Sequence, residues 1–294
     1  MNIKIPDEKR IKVIIDTDAA CEADDPFAIV QGLLSPKFIV KGILAEHFNA
    51  EGSVQKSFDE IETILNAMKL NVPHFMGQER ALTEQNGDTE VSEGVDFLIK
   101  EALKNDGRLY VLCQGAITNV AMALRKCPEI KEKITVIWIG THGSGNVKAP
   151  FREFNAGNDI IAANEVLSSG TDLWLVPSDV YTTINVGLAE IRMKVYPCGE
   201  IGKHLYENMI EYNLSPNAGW TKGESWSLGD SPAIAIALNP DCGKYVNEPA
   251  PYIMEDTSSV VKEGNPIIRV YKNVDSRYIL EDFFAKIQLN YYQS

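Results

Sequence analysis

The sequence has little of what most metal, redox and nucleic-acid chemistries require. Its five cysteines, Cys21, Cys113, Cys127, Cys198 and Cys242, are odd in number, far apart and without a CxxC pair. Such a set reads as reduced thiols in a cytoplasmic protein rather than a disulfide framework. The four histidines, His47, His74, His142 and His204, show no ligand spacing, so nothing resembles a zinc set. Basic residues are outnumbered 28 to 41, giving a formal charge of −13. That field repels nucleic-acid phosphates and anionic membrane surfaces, which argues against both partners and leaves small neutral or cationic ligands. No apolar run approaches the roughly 20 residues that span a bilayer. The N-terminal stretch MNIKIPDEKR has no apolar core of a signal peptide, so none is expected. Repeats, low-complexity tracts and linkers are also missing, and the expectation is one domain over residues 1–294.

What is present is an alternation. Ile11–Ile15 is a short apolar run suited to a buried strand. Pro26–Leu34 follows with helical composition, its proline suited to a first turn. Phe38–Ala45 reads as the next strand, and Ser53–Met68 as a helix with Phe58, Ile61, Ile64, Leu65 and Met68 at helical spacing. The pattern continues with strands at Leu109–Cys113, Ile134–Ile139 and Leu173–Val176 and helices at Thr118–Arg125 and Asp159–Leu167. Residues 198–238 look mostly helical around a polar loop at 213–223. Strands alternating with helices imply right-handed crossovers and an α/β fold, a doubly wound, mostly parallel sheet flanked by helices. Ligands in such sheets bind at the carboxyl ends of the strands.

Acidic residues crowd that location. The first strand runs into Asp16, Asp18, Glu22, Asp24 and Asp25, five carboxylates within ten residues. They repel one another unless a cation sits among them, and helix capping accounts for only one or two. Oxygen donors alone point to a hard divalent cation, Ca²⁺ or Mg²⁺. A DxD after a first strand also occurs in haloacid-dehalogenase-like phosphatases. That pattern wants Thr or Val where Ala20 stands, and it leaves Asp24 and Asp25 unexplained.

These residues resemble the opening motif of the inosine–uridine-preferring nucleoside hydrolases, in the branch with a longer spacing before the paired aspartates. Ala20 departs from the usual Gly, and Glu22 from that branch's frequent Asp. Further similar segments follow in order: Gly42–Asn49 (GILAEHFN), Gln114–Asn119 (QGAITN), Ile137–Asn146 (IWIGTHGSGN), Glu153–Asn155 (EFN) with Asn158 and Asp159, and Leu228–Ala233 (LGDSPA).

The resemblance implies a Ca²⁺-dependent hydrolysis of the N-glycosidic bond of a ribonucleoside in nucleoside salvage. It implies a metal held by Asp18, Asp25, Asp230 and the main-chain carbonyl of Gln114, with Asp18 also the general base toward a metal-held water. It assigns the ribose hydroxyls to Asp24, Asn49, Asn146, Glu153 and Asn155, places Asp16 behind the ligands, and implies a homodimer or homotetramer. Each role has a plainer rival: Asn49 and Asn146 as turn residues, Glu153 as a surface acid, Asp230 as a helix cap. The pattern breaks where the leaving base is activated. Gly229 stands where many relatives carry His, and Gln78–Asp88 has no histidine. Trp220, Trp226, Tyr206, Tyr212, His47 and His142 are the candidates to stack on or protonate a base, and the residues leave purine, pyrimidine, nicotinamide and modified base all open. A non-catalytic riboside-binding protein on the same scaffold is the alternative.

Overall fold

The computed structural model describes residues 4–83 and 90–292, so the end of Gln78–Asp88 lies outside the described residues. The chain opens with β1 (Ile11–Thr17), α1 (Asp25–Leu33), β2 (Phe38–Ala45), α2 (Ser53–Met68), β3 (His74–Met76), α3 (Glu93–Lys104), β4 (Leu109–Cys113) and α4 (Thr118–Lys126). It continues through β5 (Ile134–Ile139), α5 (Phe154–Asn158), α6 (Ile160–Ser168), β6 (Asp172–Val176), α7 (Ser178–Tyr181), β7 (Asn185–Gly187), α8 (Leu188–Lys194) and α9 (Gly199–Asn213). It closes with β8 (Ser225–Ser227), α10 (Ser231–Leu238), β9 (Gly243–Pro249), β10 (Pro251–Ile253), β11 (Ser259–Val261), β12 (Ile267–Val274) and α11 (Ser276–Tyr291).

Eight strands form the central sheet in the order β3-β2-β1-β4-β5-β6-β12-β9. All neighbours pair in parallel except β12 and β9, which are antiparallel. The doubly wound, mostly parallel α/β sheet expected from the alternation is what the chain forms. β1 is buried on both faces, which is why Val13, Ile14 and Ile15 read as an unbroken apolar run. One core layer packs Ile15, Phe27, Ile61, Ile64, Ile234 and Phe283 against one face of the sheet. The other packs Ile14, Val95, Leu98, Val120, Leu167 and Val270 against the opposite face.

Two helices matter most for the site. α1 begins at Asp25-Pro26 and buries Phe27 to Gly32 on every side; α10 begins at Ser231-Pro232 and buries Ser231 to Ala237 in the same way. Apolar residues all round mark helices enclosed by the fold rather than lying on its surface. They pack on one another, so their N-terminal ends, and the acids there, arrive side by side. The 198–238 stretch departs from the mostly helical expectation: β8 lies inside it and pairs with β7, because Trp226 turns inward to 2 % exposure.

Candidate active site

The floor of the site is built at the carboxyl ends of three neighbouring strands. β1 lies between β2 and β4, and the ladder runs on past its end: Glu46 N donates to Thr17 O at 2.7 Å and Gln114 N to Asp16 O at 2.8 Å. Asp18, Glu46 and Gln114 thereby meet at one corner. Gly115 is needed there for close approach, since a β-carbon would lie 2.6 Å from Glu46 Oε2 and 3.0 Å from Asp18 Cγ. Asp24 and Asp25 enter from the start of α1 and Asp230 from the start of α10, where helix dipoles favour negative charge.

A cavity of about 500 Å³ opens above this floor. Of the site residues expected from the sequence, Asp18, Asp24, Asp25, Gln114, Glu153, Asn155 and Asp230 all line it. Asn49 and Asn146 do not. Asn49 sits in the left-handed region with φ 56° and lines a separate cleft with Glu79 and Arg80. Asn146 spends its side-chain oxygen on Val261 N, 2.9 Å away beside the small β10–β11 sheet. Neither is brought to the cavity that holds the other expected site residues.

Ligand oxygens of Asp24, Asp25 and Asp230 all lie within 4.8 Å of one another. Two oxygens on one Ca²⁺ at ~2.4 Å are at most ~4.8 Å apart, so the triad has the right span. The carboxyls of Asp230 and Asp18 are both neighbours of Asp25. Asp24, placed among the ribose contacts by the sequence, thus stands in the tight triad, and Asp18 beside it. Thr17 Oγ1 donates to Asp25 Oδ1, and Gly229 N donates to Asp24 Oδ2 at 2.9 Å.

Burial and mutual repulsion push Asp18, Asp24 and Asp230 well above the usual carboxylate range. Burial raises Asp25 to about 6 and Glu22 to about 7. Asp18 Oδ2 and both side-chain polar atoms of Gln114 are buried without a hydrogen-bond partner. Packed acids with an orphaned oxygen are unfavourable on their own and become favourable around a cation. The donor set therefore fits a hard divalent metal.

Asp16 does not line the cavity. Its carboxylate accepts from Asn119 Nδ2 at 2.8 Å and, weakly, from Cys113 Sγ, and burial lifts it to about 7. This agrees with its expected place behind the ligands.

The side wall is made by Glu153 and Asn155. Glu153 is fully buried and caps α5 through the N–H groups of Asn155 and Ala156. It is no surface acid. Asn155 Nδ2 donates to the main-chain oxygens of Gln114 at 2.9 Å and Ile139 at 3.0 Å. The Gln114 carbonyl is thus held in place while its second lone pair stays available.

The mouth is aromatic and open: Phe151 is 50 % exposed, Phe154 46 % and Trp220 54 %. Trp220 packs on Trp226 at 5.0 Å between ring centroids, and Tyr212 meets Trp226 edge-on. Of the expected stacking and proton-donating candidates, only Trp220 lines the cavity. His47 accepts from Asn49 N through Nδ1 and so donates from Nε2 to Thr118, which donates on to Asp159; burial drops its pKa to about 4. His142 bridges Ser178 and the Phe151 carbonyl. Sequence reasoning did not find Tyr181, which lines the cavity and donates to Glu153 Oε1 at 3.0 Å. No local motif marks it.

Known proteins resemble this chain along most of its length. The family described as inosine-uridine preferring nucleoside hydrolase matches residues 13–280. The pyrimidine-specific ribonucleoside hydrolase RihB of Escherichia coli K12 is 26 % identical over 262 residues, covering 80 % of each chain. A purine-preferring ribonucleoside hydrolase from Gardnerella vaginalis has the same fold, with TM-score 0.78, 24 % identity, and 95 % of this chain and 98 % of that one covered. So does an inosine-uridine preferring nucleoside hydrolase from Bacillus anthracis, with TM-score 0.70, 17 % identity, and 95 % and 99 % covered.

Proposed function

The chain belongs to the inosine-uridine preferring nucleoside hydrolase family and is a ribonucleoside hydrolase, and we propose that it cleaves its substrate to ribose and free base at the acidic floor, with Ca²⁺ as the metal and Asp18 as the general base. The observation that carries this reading is the orphaned Asp18 Oδ2, buried in the cavity beside the Asp24–Asp25–Asp230 triad. Asp18, Asp25, Asp230 and the Gln114 carbonyl would hold the cation, with Asp24 within reach of it. Bound there, Ca²⁺ supplies positive charge that offsets the packed carboxylates and acidifies water.

The rest is done by the chain's own residues. Asp18 takes the proton of the attacking water, a transfer worth about 10²–10⁴ in rate. The carboxylate cluster leaves a negative potential toward the ribose, which favours the oxocarbenium-like cation as the glycosidic bond opens. Glu153, Asn155 and Asp24 orient the ribose hydroxyls, placing the anomeric carbon over the floor. The base leaves toward Trp220, Phe151 and Phe154. Enzymes similar to this one include a pyrimidine-specific and a purine-preferring hydrolase. We assign base choice to this mouth and bond cleavage to the floor. Family membership sets aside the phosphatase reading and the binding-only reading.

The test is ribose release from a panel of purine, pyrimidine, nicotinamide and modified ribosides, with and without chelator. Release that needs Ca²⁺, and that Asp18→Asn lowers by about 10³-fold or more at an unchanged fold, is the expected result. Release that continues in chelator, or in Asp18→Asn, overturns the assignment.

A further inference from the structure

Gly229 is a glycine for reasons of space rather than backbone, since its φ lies outside the left-handed region. A β-carbon at 229 would stand 3.2 Å from Asp24 Oδ2 and 3.2 Å from Tyr181 Cδ2. The Tyr181 ring occupies the volume into which a side chain at 229 would project. Its hydroxyl reaches the other wall, donating to Glu153 Oε1 at 3.0 Å. The corner carrying Tyr181 is also stitched to the segment carrying Gly229. Ser227 Oγ donates to Tyr181 O at 3.1 Å, and Leu228 N donates to Ile184 O at 2.9 Å. One phenol therefore touches both the residue set against ribose and the floor segment that ends in Asp230.

Resting on the ribonucleoside reading, we propose that Tyr181 is a positioning residue for ribose recognition, holding the Glu153 carboxylate through its hydroxyl and walling the cavity over Gly229 through its ring. Two consequences follow from that geometry. Glu153 accepts from Asn155 N, Ala156 N and the Tyr181 hydroxyl, so its carboxylate is held in one orientation at the cavity wall instead of sampling several rotamers. Tyr181 and Gly229 are a matched pair, in which enlarging one requires shrinking the other.

The experiment compares wild type, Tyr181→Phe, Gly229→Ala, Tyr181→Ala and the Tyr181→Ala/Gly229→Ala double variant. The readouts are KM and kcat for ribose release, the Kd of ribose itself by calorimetry, and the rise in Tm on adding Ca²⁺. Tyr181→Phe keeps the ring and loses the hydroxyl. It is expected to raise KM and the ribose Kd about tenfold while kcat changes less than about threefold and the Ca²⁺-induced rise persists. Gly229→Ala is expected to weaken ribose binding about five- to tenfold alone and less than about twofold in the Tyr181→Ala background. An unchanged ribose Kd in Tyr181→Phe overturns the proposal. So does equal cost of Gly229→Ala in both backgrounds. A kcat loss of about a hundredfold at unchanged KM also overturns it, making the phenol a proton donor instead. The calorimetric arm needs no turnover: a parent that binds ribose yet releases none would sink the hydrolase reading and leave this one standing or falling on its own.

Discussion

The floor and the mouth of the cavity are made differently. The floor acids sit at strand ends and at the first turns of two enclosed helices, and Asp18, Asp24, Asp25 and Asp230 are all buried. Their positions follow from the sheet and from the packing of α1 on α10. The mouth is made of Phe151, Phe154 and Trp220, about half-exposed, with Phe154 opening the short helix α5 and the other two carried by segments between elements. A rigid, charged floor suits chemistry that every substrate shares. An open aromatic rim suits the part that varies, because stacking tolerates many ring systems.

The division can be broken most severely at the floor. Asp230→Asn should abolish the stabilisation that Ca²⁺ gives the parent, which is about 2.7 kcal/mol when Ca²⁺ is a hundredfold above its Kd. Ribose release should fall by at least about 10³-fold. The same variant should be more stable than the parent in chelator, by roughly 2 kcal/mol, because one buried, repelled carboxylate is gone. Calorimetry with and without Ca²⁺ checks both signs. A variant destabilised in chelator would mean that the triad is held by something other than a cation.

At the mouth, Trp220→Ala should leave Tm and Ca²⁺ response unchanged, since the ring is more than half exposed. It should lower kcat/KM about three- to tenfold, unequally across bases, as an aromatic contact worth about 0.5–1.5 kcal/mol would. Equal losses for every base would move base choice away from the rim.

The smallest effect lies in the scaffold behind the mouth. α9, which leads into the Trp220 segment, is tied to α2 by His204 Nε2 and Glu60 Oε1 at 2.6 Å. The hydrogen bond to Glu60 raises the His204 pKa, and desolvation opposes it more weakly. A raised histidine stabilises the fold fully below its unfolded pKa of about 6.5, and that contribution is lost as pH rises through the folded value. The stability gap between parent and His204→Gln should therefore close as pH climbs above about 6.5, from a starting size under ~1 kcal/mol. A gap that widens with pH would contradict the pairing.

Some of this was legible in the residues and some was not, for identifiable reasons. The alternation of β1, α1, β2 and α2 is readable because buried strands are short apolar runs, α2 is amphipathic with helical spacing, and α1 opens on a proline suited to a first helical turn. The closing β9–β12 and α11 were not assigned: β9 is mostly exposed, with Tyr245 and Val246 facing solvent, so it carries no apolar run. Trp226 was a candidate for a base and proved to be core. An aromatic residue does not announce which it is. Asn49 and Asn146 matched segments of the resemblance, yet Asn49 lines a different cleft and the Asn146 side chain is bonded to Val261 N.

The sequence by itself determined the parallel strands β1, β2, β4, β5 and β6, the acidic loop after β1 and the family. Those depend on local pattern, on apolar runs, on the charge density of ten consecutive residues and on the order of short segments. Only the tertiary structure decided that Asp24 joins Asp25 and Asp230, that Asn49 and Asn146 stay outside, and that Tyr181 fills the space over Gly229. Tyr181 is 28 residues from Glu153 in the chain. Gly229 is 205 residues from Asp24. Contacts of that range are set by how layers pack and which side chains exclude others, and no local spacing encodes them.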